Sequence, residues 1–250
     1  MRQLILILVA LLAATAAHAQ VGEYRNELAA GGSAGLTMTT VNFMPKVPQS
    51  QLMGKTVGLT LRYTGEKYFN SICAVVAEVN FAETGWKERI WDLNDNPVMR
   101  LDADEPERYE RRLTYLQVPV LARLGWGRER RGLQFFFQVG PQVGFLQRES
   151  TKKNFEIANR NVNDRTSPIY AQDTMAVENR VDYGIAGGVG LEFSHPKVGH
   201  FMLEGRYYYG LGNLYGNTKR DYFAISNQQS IVVKLSYLFD VMRTKNSTIK

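Results

Sequence analysis

The chain is short of cysteine and of long apolar runs, and each shortage removes a class of protein. Cys73 is its one cysteine, so no internal disulfide framework holds the fold, and its position far down the chain rules out a lipid anchor at a processed N-terminus. The apolar run from Leu4 to Ala17 falls short of the roughly 20 residues a spanning helix needs. Nothing later comes close, which excludes a helical membrane protein. Histidine is scarce as well: after His18 there are only His195 and His200, with no cysteine or clustered carboxylate at ligand spacing, so neither a metal nor another cofactor is expected.

Met1-Arg2-Gln3 leads into the early apolar run and Ala17-His18-Ala19 closes it, the pattern of a secretory signal peptide cut before Gln20. The expected organisation is a signal peptide at 1–19, one barrel domain at 20–239 and a flexible periplasmic tail at 240–250. The formal charge of +6 comes from basic residues scattered among acidic ones rather than gathered in a stripe. With an exported address, that makes nucleic acid an unexpected partner.

Helical periodicity is almost missing, and in its place apolar residues recur with period two, the mark of amphipathic strands. Eight such segments lie near 32–43, 55–64, 71–83, 113–126, 133–147, 180–194, 200–213 and 229–239. In the clearest, Val181, Tyr183, Ile185, Val189, Leu191 and Phe193 share one face, against Asp182, Gly184, Ala186, Gly188, Gly190 and Glu192. Connections alternate between short ones near 65–70, 127–132 and 195–199 and long polar ones near 44–54, 84–112, 148–179 and 214–228. Short periplasmic turns, long extracellular loops and an even strand number define bacterial outer-membrane barrels. The expected fold is all-β, an eight-stranded antiparallel up-and-down transmembrane β-barrel.

Alternation alone does not say which face is wet, so a soluble barrel of the lipocalin kind is the alternative. Composition separates them. With the apolar face inward, Gly184, Ala186, Gly188 and Gly190 would form a poor soluble exterior; turned inward, they leave room for Phe136, Arg206 and Tyr208. The apolar face also places Phe43, Tyr63, Phe81, Trp126, Phe145, Phe193, Tyr209, Tyr237 and Phe239 towards strand ends, as interfacial girdles require. Pro119 and Pro141 interrupt two strands, and bulges are expected there or at the strand ends.

Leu113-Thr114-Tyr115-Leu116-Gln117-Val118-Pro119 resembles the Tyr-Leu-x-Ile/Val-Pro strand of the PorT-like outer-membrane barrel family, often labelled porin family. Val139-Gly140-Pro141 with Gly144, Asp182-Tyr183-Gly184 with Gly187, Gly188 and Gly190, and Arg206-Tyr207-Tyr208-Tyr209-Gly210-Leu211 follow in that family's order. The resemblance spans about Gly32 to Phe239. It implies the fold and the outer-membrane address, and its namesake serves type IX secretion and gliding, but it brings no shared catalytic set.

Eight strands enclose only enough space for side chains. Strand parity puts a polar network of Arg62, Glu78, Arg123, Asp182, Glu192, Glu204, Arg206 and Lys234 in the lumen, with Gln117, Gln134, Gln138 and Gln142. Its charges balance, which suits a mutually paired plug; a narrow ion path along the same groups is the alternative. Gly31-Gly32-Ser33-Ala34-Gly35 matches a nucleophile elbow in letters but lacks the strand-then-helix setting. A lipid-modifying enzyme using Ser33 with His195 or His200 is the enzymatic alternative, and no catalytic residue is assigned. Asp102 to Glu107 and Arg128 to Arg131 are expected to be solvated charge. Trp86, Trp91, Tyr109, Phe155 and Tyr170 fall in the two longest loops and are candidates for partner contact. Expected partners are outer-membrane lipid, the barrel-assembly machinery, which would read Tyr237-Leu238-Phe239, and an extracellular or secretion-system protein.

Overall fold

The computed structural model describes residues 23–216 and 221–245. The expected signal peptide and the last residues of the expected tail lie outside these. The strands are β1 (Glu23–Met44), β2 (Gln49–Ser50), β3 (Leu52–Tyr68), β4 (Ser71–Glu88), β5 (Tyr109–Gly127), β6 (Gly132–Lys153), β7 (Val181–His195), β8 (Gly199–Gly210) and β9 (Ile225–Met242). Apart from the two-residue β2, which pairs with the end of β4, each strand is hydrogen-bonded to two antiparallel neighbours. The ring runs β1-β3-β4-β5-β6-β7-β8-β9 and closes where β9 meets β1. Eight strands therefore form a closed barrel with no free edge. Among the described residues, no helix is long and apolar enough to cross a membrane.

The outward parity is apolar around the whole ring. Leu59 is 70% exposed and Leu235 64%, with Val57, Val79, Val120, Phe137, Ile185, Leu203 and Val233 exposed beside them. The inward parity carries the charged and amide side chains, all buried. A soluble barrel has the reverse arrangement, so this surface belongs in hydrocarbon. On β7 the expected room is there: a Cβ on Gly190 would sit 2.4 Å from the Phe136 ring and one on Gly184 2.9 Å from the Tyr208 ring.

The strands are longer than the sequence alternation indicated. β6 has 22 residues, whereas about 9–11 cross a bilayer. The excess lies on the side of the long loops. On β4 the outward apolar row ends at Phe81, with Glu83 and Lys87 beyond it; on β6 it ends at Phe145, followed past a bulge by Arg148, Ser150 and Lys152. Beyond those points the strands stand in water, and the loops shrink to 45–51, 89–108, 154–180 and 211–224. On the other side the turns are short, at 69–70, 128–131 and 196–198, and β9 runs past the expected end at 239.

The prolines are accommodated differently from expectation. Pro119 pairs with Gln142 and Ala122 with Val139, while on the other side Ala77 pairs with Val120 and Asn80 with Gln117. The ladder skips pairs at the prolines but keeps its register, because a missing N–H removes a bond without adding a residue. The bulge between β5 and β6 lies at Thr114/Tyr115 instead.

Candidate functional site

Two layers fill the barrel interior: a charged one within the membrane span and an aromatic one above it. In the charged layer Arg62 Nη1 donates to both oxygens of Glu192 at 2.6 Å, and Arg123 Nη2 bonds the same carboxylate. Arg123 also lies over the Phe136 ring at 3.8 Å and donates to Gln134 at 3.0 Å. Nearer the loops, Arg206 meets both oxygens of Glu78 at 2.9 Å and Glu204 at 2.6 Å, while Lys234 Nζ lies 2.6 Å from Glu78. Gln138 donates to Glu204 and Asn80 to Glu78. Asp182 stands apart, accepting from the Tyr208 hydroxyl at 2.7 Å. Every charge in this layer is thus held by an opposite charge or a hydrogen bond, which a low-dielectric interior demands.

The mouth on the side of the short turns has its own closure. Glu129, in the turn after β5, points back into the barrel and receives Arg25 and Lys67 at 2.8 Å each, while Arg130 bonds Glu27 at 2.5 Å. The expectation of a merely solvated turn at 128–131 is corrected for these two residues. His200 joins the ends of three strands: its Nδ1 lies 2.8 Å from Ser194 Oγ and 2.7 Å from Glu192, and its Nε2 3.0 Å from Asp240. Sequence periodicity gave no sign of this chain, because only the β7–β8–β9 register brings the three together.

Ser33 is not part of it. It sits inside β1, opposite Gly58 and Ser236, with its hydroxyl 3.5 Å from the Gly58 carbonyl; strand continues on both sides, so the elbow setting is missing. His195 is in the turn region, pairing with Gly199. Among the described residues no group of three or more His, Cys, Asp or Glu could hold a metal.

Above the membrane span, Val41, Phe43, Val47, Trp86, Ile90, Val98, Tyr109, Leu113, Tyr115, Phe155, Leu214, Tyr215 and Phe223 form one buried cluster. Trp86, Tyr109 and Phe155 are therefore not exposed loop aromatics: Trp86 is on β4 and Tyr109 on β5, both pointing inward, and Phe155 folds under the loop. Phe43 likewise leaves the proposed girdle and packs against Trp86 and Phe223 at ring separations of 5.4 and 4.8 Å. Arg111 completes the layer, stacked on Trp86 and donating to the Tyr215 hydroxyl at 2.7 Å. Trp91 remains at the surface at 36% exposure, and Tyr170 is half-buried with the Arg160 guanidinium 4.0 Å from its ring centre.

The loops over this cluster are bonded to each other. Thr166 donates N–H to the Trp91 carbonyl at 2.9 Å, and Asn161 bonds the Met99 carbonyl. Glu107, expected in a solvated acidic stretch, is buried and takes Arg165 at 2.8 Å and the Asn161 N–H at 2.7 Å. Gln172 donates to Glu88 at 2.7 Å. Beside Glu88 a cavity of about 90 Å³ opens between Val47, Ile90, Trp91, Arg165 and Ile169. Leu93, Met99 and Leu101 are exposed on the same 89–108 loop as Trp91.

Among solved structures the chain is similar to Neisserial surface protein A, at 7% identity over 87% of this chain and all of that one, with a TM-score of 0.43. It is also similar to OprG from Pseudomonas aeruginosa, at 12% identity over 87% and 98% of the two chains, TM-score 0.39. A third likeness is to Ail, the attachment invasion locus protein of Yersinia pestis, solved with the heparin analogue sucrose octasulfate, at 17% identity over 85% and 99%, TM-score 0.34. No curated protein matches the chain. The family model described as outer membrane protein beta-barrel domain matches residues 18–216, well over half of the sequence. The chain belongs to the outer membrane protein beta-barrel domain family.

Proposed function

We propose that this protein is a closed, non-enzymatic barrel of the bacterial outer membrane that acts through the surface of its extracellular loops. One observation carries the reading: the interior is occupied from end to end, by paired charges within the membrane span and by an aromatic layer above it, so the wall is a support rather than a conduit. The overlong strands raise the loops clear of the membrane surface, and the bonds between the loops present Trp91, Leu93, Met99 and Leu101 on one fixed segment. A rigid exposed aromatic flanked by aliphatics suits contact with a protein partner. Arg165 and Phe155 beneath them belong to the packed layer, so point substitutions test the idea better than loop removal. Trp91→Ala with Leu93→Ser is expected to abolish capture of a surface partner while heat-modifiable gel mobility stays unchanged; capture at the parental level rejects the reading. The purified barrel is expected to give no large, stable single-channel currents in a planar bilayer, and such currents would favour the small-pore alternative.

The Tyr115-Leu116-Gln117-Val118-Pro119 strand supports a second reading, an accessory of type IX secretion as the PorT-like resemblance implies. Co-purification with secretion components after mild solubilisation tests it.

A further inference from the structure

The ring leaves no free edge only where neighbouring strands match in length, and β6 outruns β7. The β6–β7 ladder ends where Phe145 meets Val181, and one further bond follows it, from the Leu146 N–H to the Arg180 carbonyl at 2.7 Å. On its other side β6 stays paired with β5 as far as Lys153 and Tyr109. Residues 147–153 are therefore the edge of a sheet beyond the last lipid-facing residue, and every one of them is exposed, whichever way its side chain points. Among the described residues nothing bonds to their backbone from the open side.

The register shows which groups are open. The Asn154 N–H bonds the Arg108 carbonyl across the end of β5 at 3.4 Å, so the two-residue alternation of a strand turns the backbone groups of Lys152, Ser150 and Arg148 to β5 and those of Glu149, Thr151 and Lys153 away from it. Such an edge is completed by an added strand. Charge decides which strand. Beyond the bulge, β5 and β6 carry Arg111, Arg112, Arg148, Lys152 and Lys153 against Glu110 and Glu149. Glu110 stands opposite Lys152 in the register, but Arg112 holds it at 2.7 Å, and Arg111 holds Glu149 at 3.3 Å. Glu83, the other partner of Arg112, brings the carboxylates to three against five cations. The edge is basic on balance, which suits an acidic segment and opposes a cationic one. A second copy does not fit. Copies in one membrane ascend in the same sense, so two β6 edges cannot run antiparallel, and a two-fold axis along the membrane normal sets identical residues level where a parallel ladder needs them offset.

We propose that residues 147–153 of β6 bind an extended acidic segment of another protein as an added antiparallel strand, its backbone bonded to Glu149, Thr151 and Lys153 and its carboxylates facing Arg148 and Lys152. This surface is separate from the Trp91 segment and goes beyond the contact proposed there. Thr151→Pro removes an N–H from the open side and keeps the bonds to β5, the placement that a sheet tolerates for proline. Arg148→Glu with Lys152→Glu reverses the charge of the outward row.

The probe is a fluorescent seven-residue peptide alternating threonine and glutamate, blocked at both ends, and its binding to the full-length protein in detergent micelles is read by anisotropy. All variants are first checked by heat-modifiable mobility. One control peptide is N-methylated at its threonines, which keeps the charge and removes the donors that face the edge; another carries lysine in place of glutamate. The parent is expected to bind the acidic peptide, the N-methylated form roughly tenfold or more weakly, and the lysine form not at all. Thr151→Pro is expected to weaken binding about tenfold, the effect of about one lost hydrogen bond, and the doubly reversed protein to prefer the lysine peptide. Trp91→Ala with Leu93→Ser is expected to bind as the parent does, which separates this site from the first. A parent that ignores the peptide, equal binding of the N-methylated form, unchanged affinity in Thr151→Pro, or weakening in the Trp91 variant overturns the proposal.

Discussion

Arg206 on β8 lays its two terminal nitrogens against the two oxygens of Glu78 on β4, each at 2.9 Å, and these strands stand four places apart in a ring of eight. The bridge spans a diameter of the barrel. Arg62 on β3 and Glu192 on β7 form a second one, so two ion pairs cross the lumen and tie opposite walls that no backbone bond connects.

Breaking one such tie leaves its partner charge stranded. Glu78 also serves Lys234 and Asn80, so Glu78→Ala leaves two buried cations, Arg206 and Lys234, to share the single carboxylate of Glu204 and strips the Asn80 amide of its acceptor. The expected loss is about 3–5 kcal/mol, the range for removing one side of a buried ion pair. Urea titration of the folded, heat-modifiable form in micelles measures it; a loss under about 1 kcal/mol, the range of an exposed pair, would mean that water reaches the site.

The charged layer was legible in the sequence because period two is strict within the membrane span. Once Val57, Leu59 and Leu61 face lipid, Arg62 faces the lumen. The aromatic layer was not legible, because the solvent changes along a single strand. On β5, Val120, Leu124 and Trp126 point outward into hydrocarbon, while Tyr109, Leu113 and Tyr115, on the opposite parity, point inward. Above the membrane the outside is water, so the apolar face turns to the interior, as in any soluble barrel. That switch of apolar parity near Gln117 was the available signal, and β1 repeats it between Leu36 and Val41. Trp86 and Tyr109 were misplaced for the same reason: loop and strand cannot be told apart by polarity where strands leave the bilayer. The contacts of Ser194, His200 and Asp240 depend on register among three strand ends, which no local pattern encodes.

In the loop crown, beyond the last lipid-facing residue of β4, burial pushes the Glu88 carboxyl up to about 8. The adjoining Asp173 charge adds to the rise, while the bond from Gln172 and the Arg165 charge oppose it. Asp173 is raised as well, chiefly by burial, against Arg165 and Arg160. A raised folded-state value means that the native loops bind a proton the unfolded chain releases above about 4.5, so this contribution is complete below that pH and is lost as pH rises through 8. Proteolytic nicking in 154–180 is therefore expected to quicken between pH 6 and pH 9, and Glu88→Gln to flatten the dependence. A slope unchanged in Glu88→Gln would assign it to another group.

The mouth of the barrel offers a test of closure at the other end. Below the Arg62–Glu192 bridge, Thr64, Gln134 and Glu129 help line a polar cavity of about 20 Å³, room for about one water molecule. The turn at 128–131 covers it only because Arg25 and Lys67 hold Glu129 inside. Removing that carboxylate frees the turn and leaves Arg25 without its buried partner, so the cover should open more often. Cysteine placed at Thr64, which points inward and is buried, reports the opening once the native thiol is removed by Cys73→Ser. A water-soluble maleimide is expected to label Thr64→Cys slowly in the parent and about tenfold faster with Glu129→Gly, as the loss of a hydrogen bond to a charged group worth about 1.5 kcal/mol implies. Equal rates would show that the charged layer itself, rather than the turn, keeps water out.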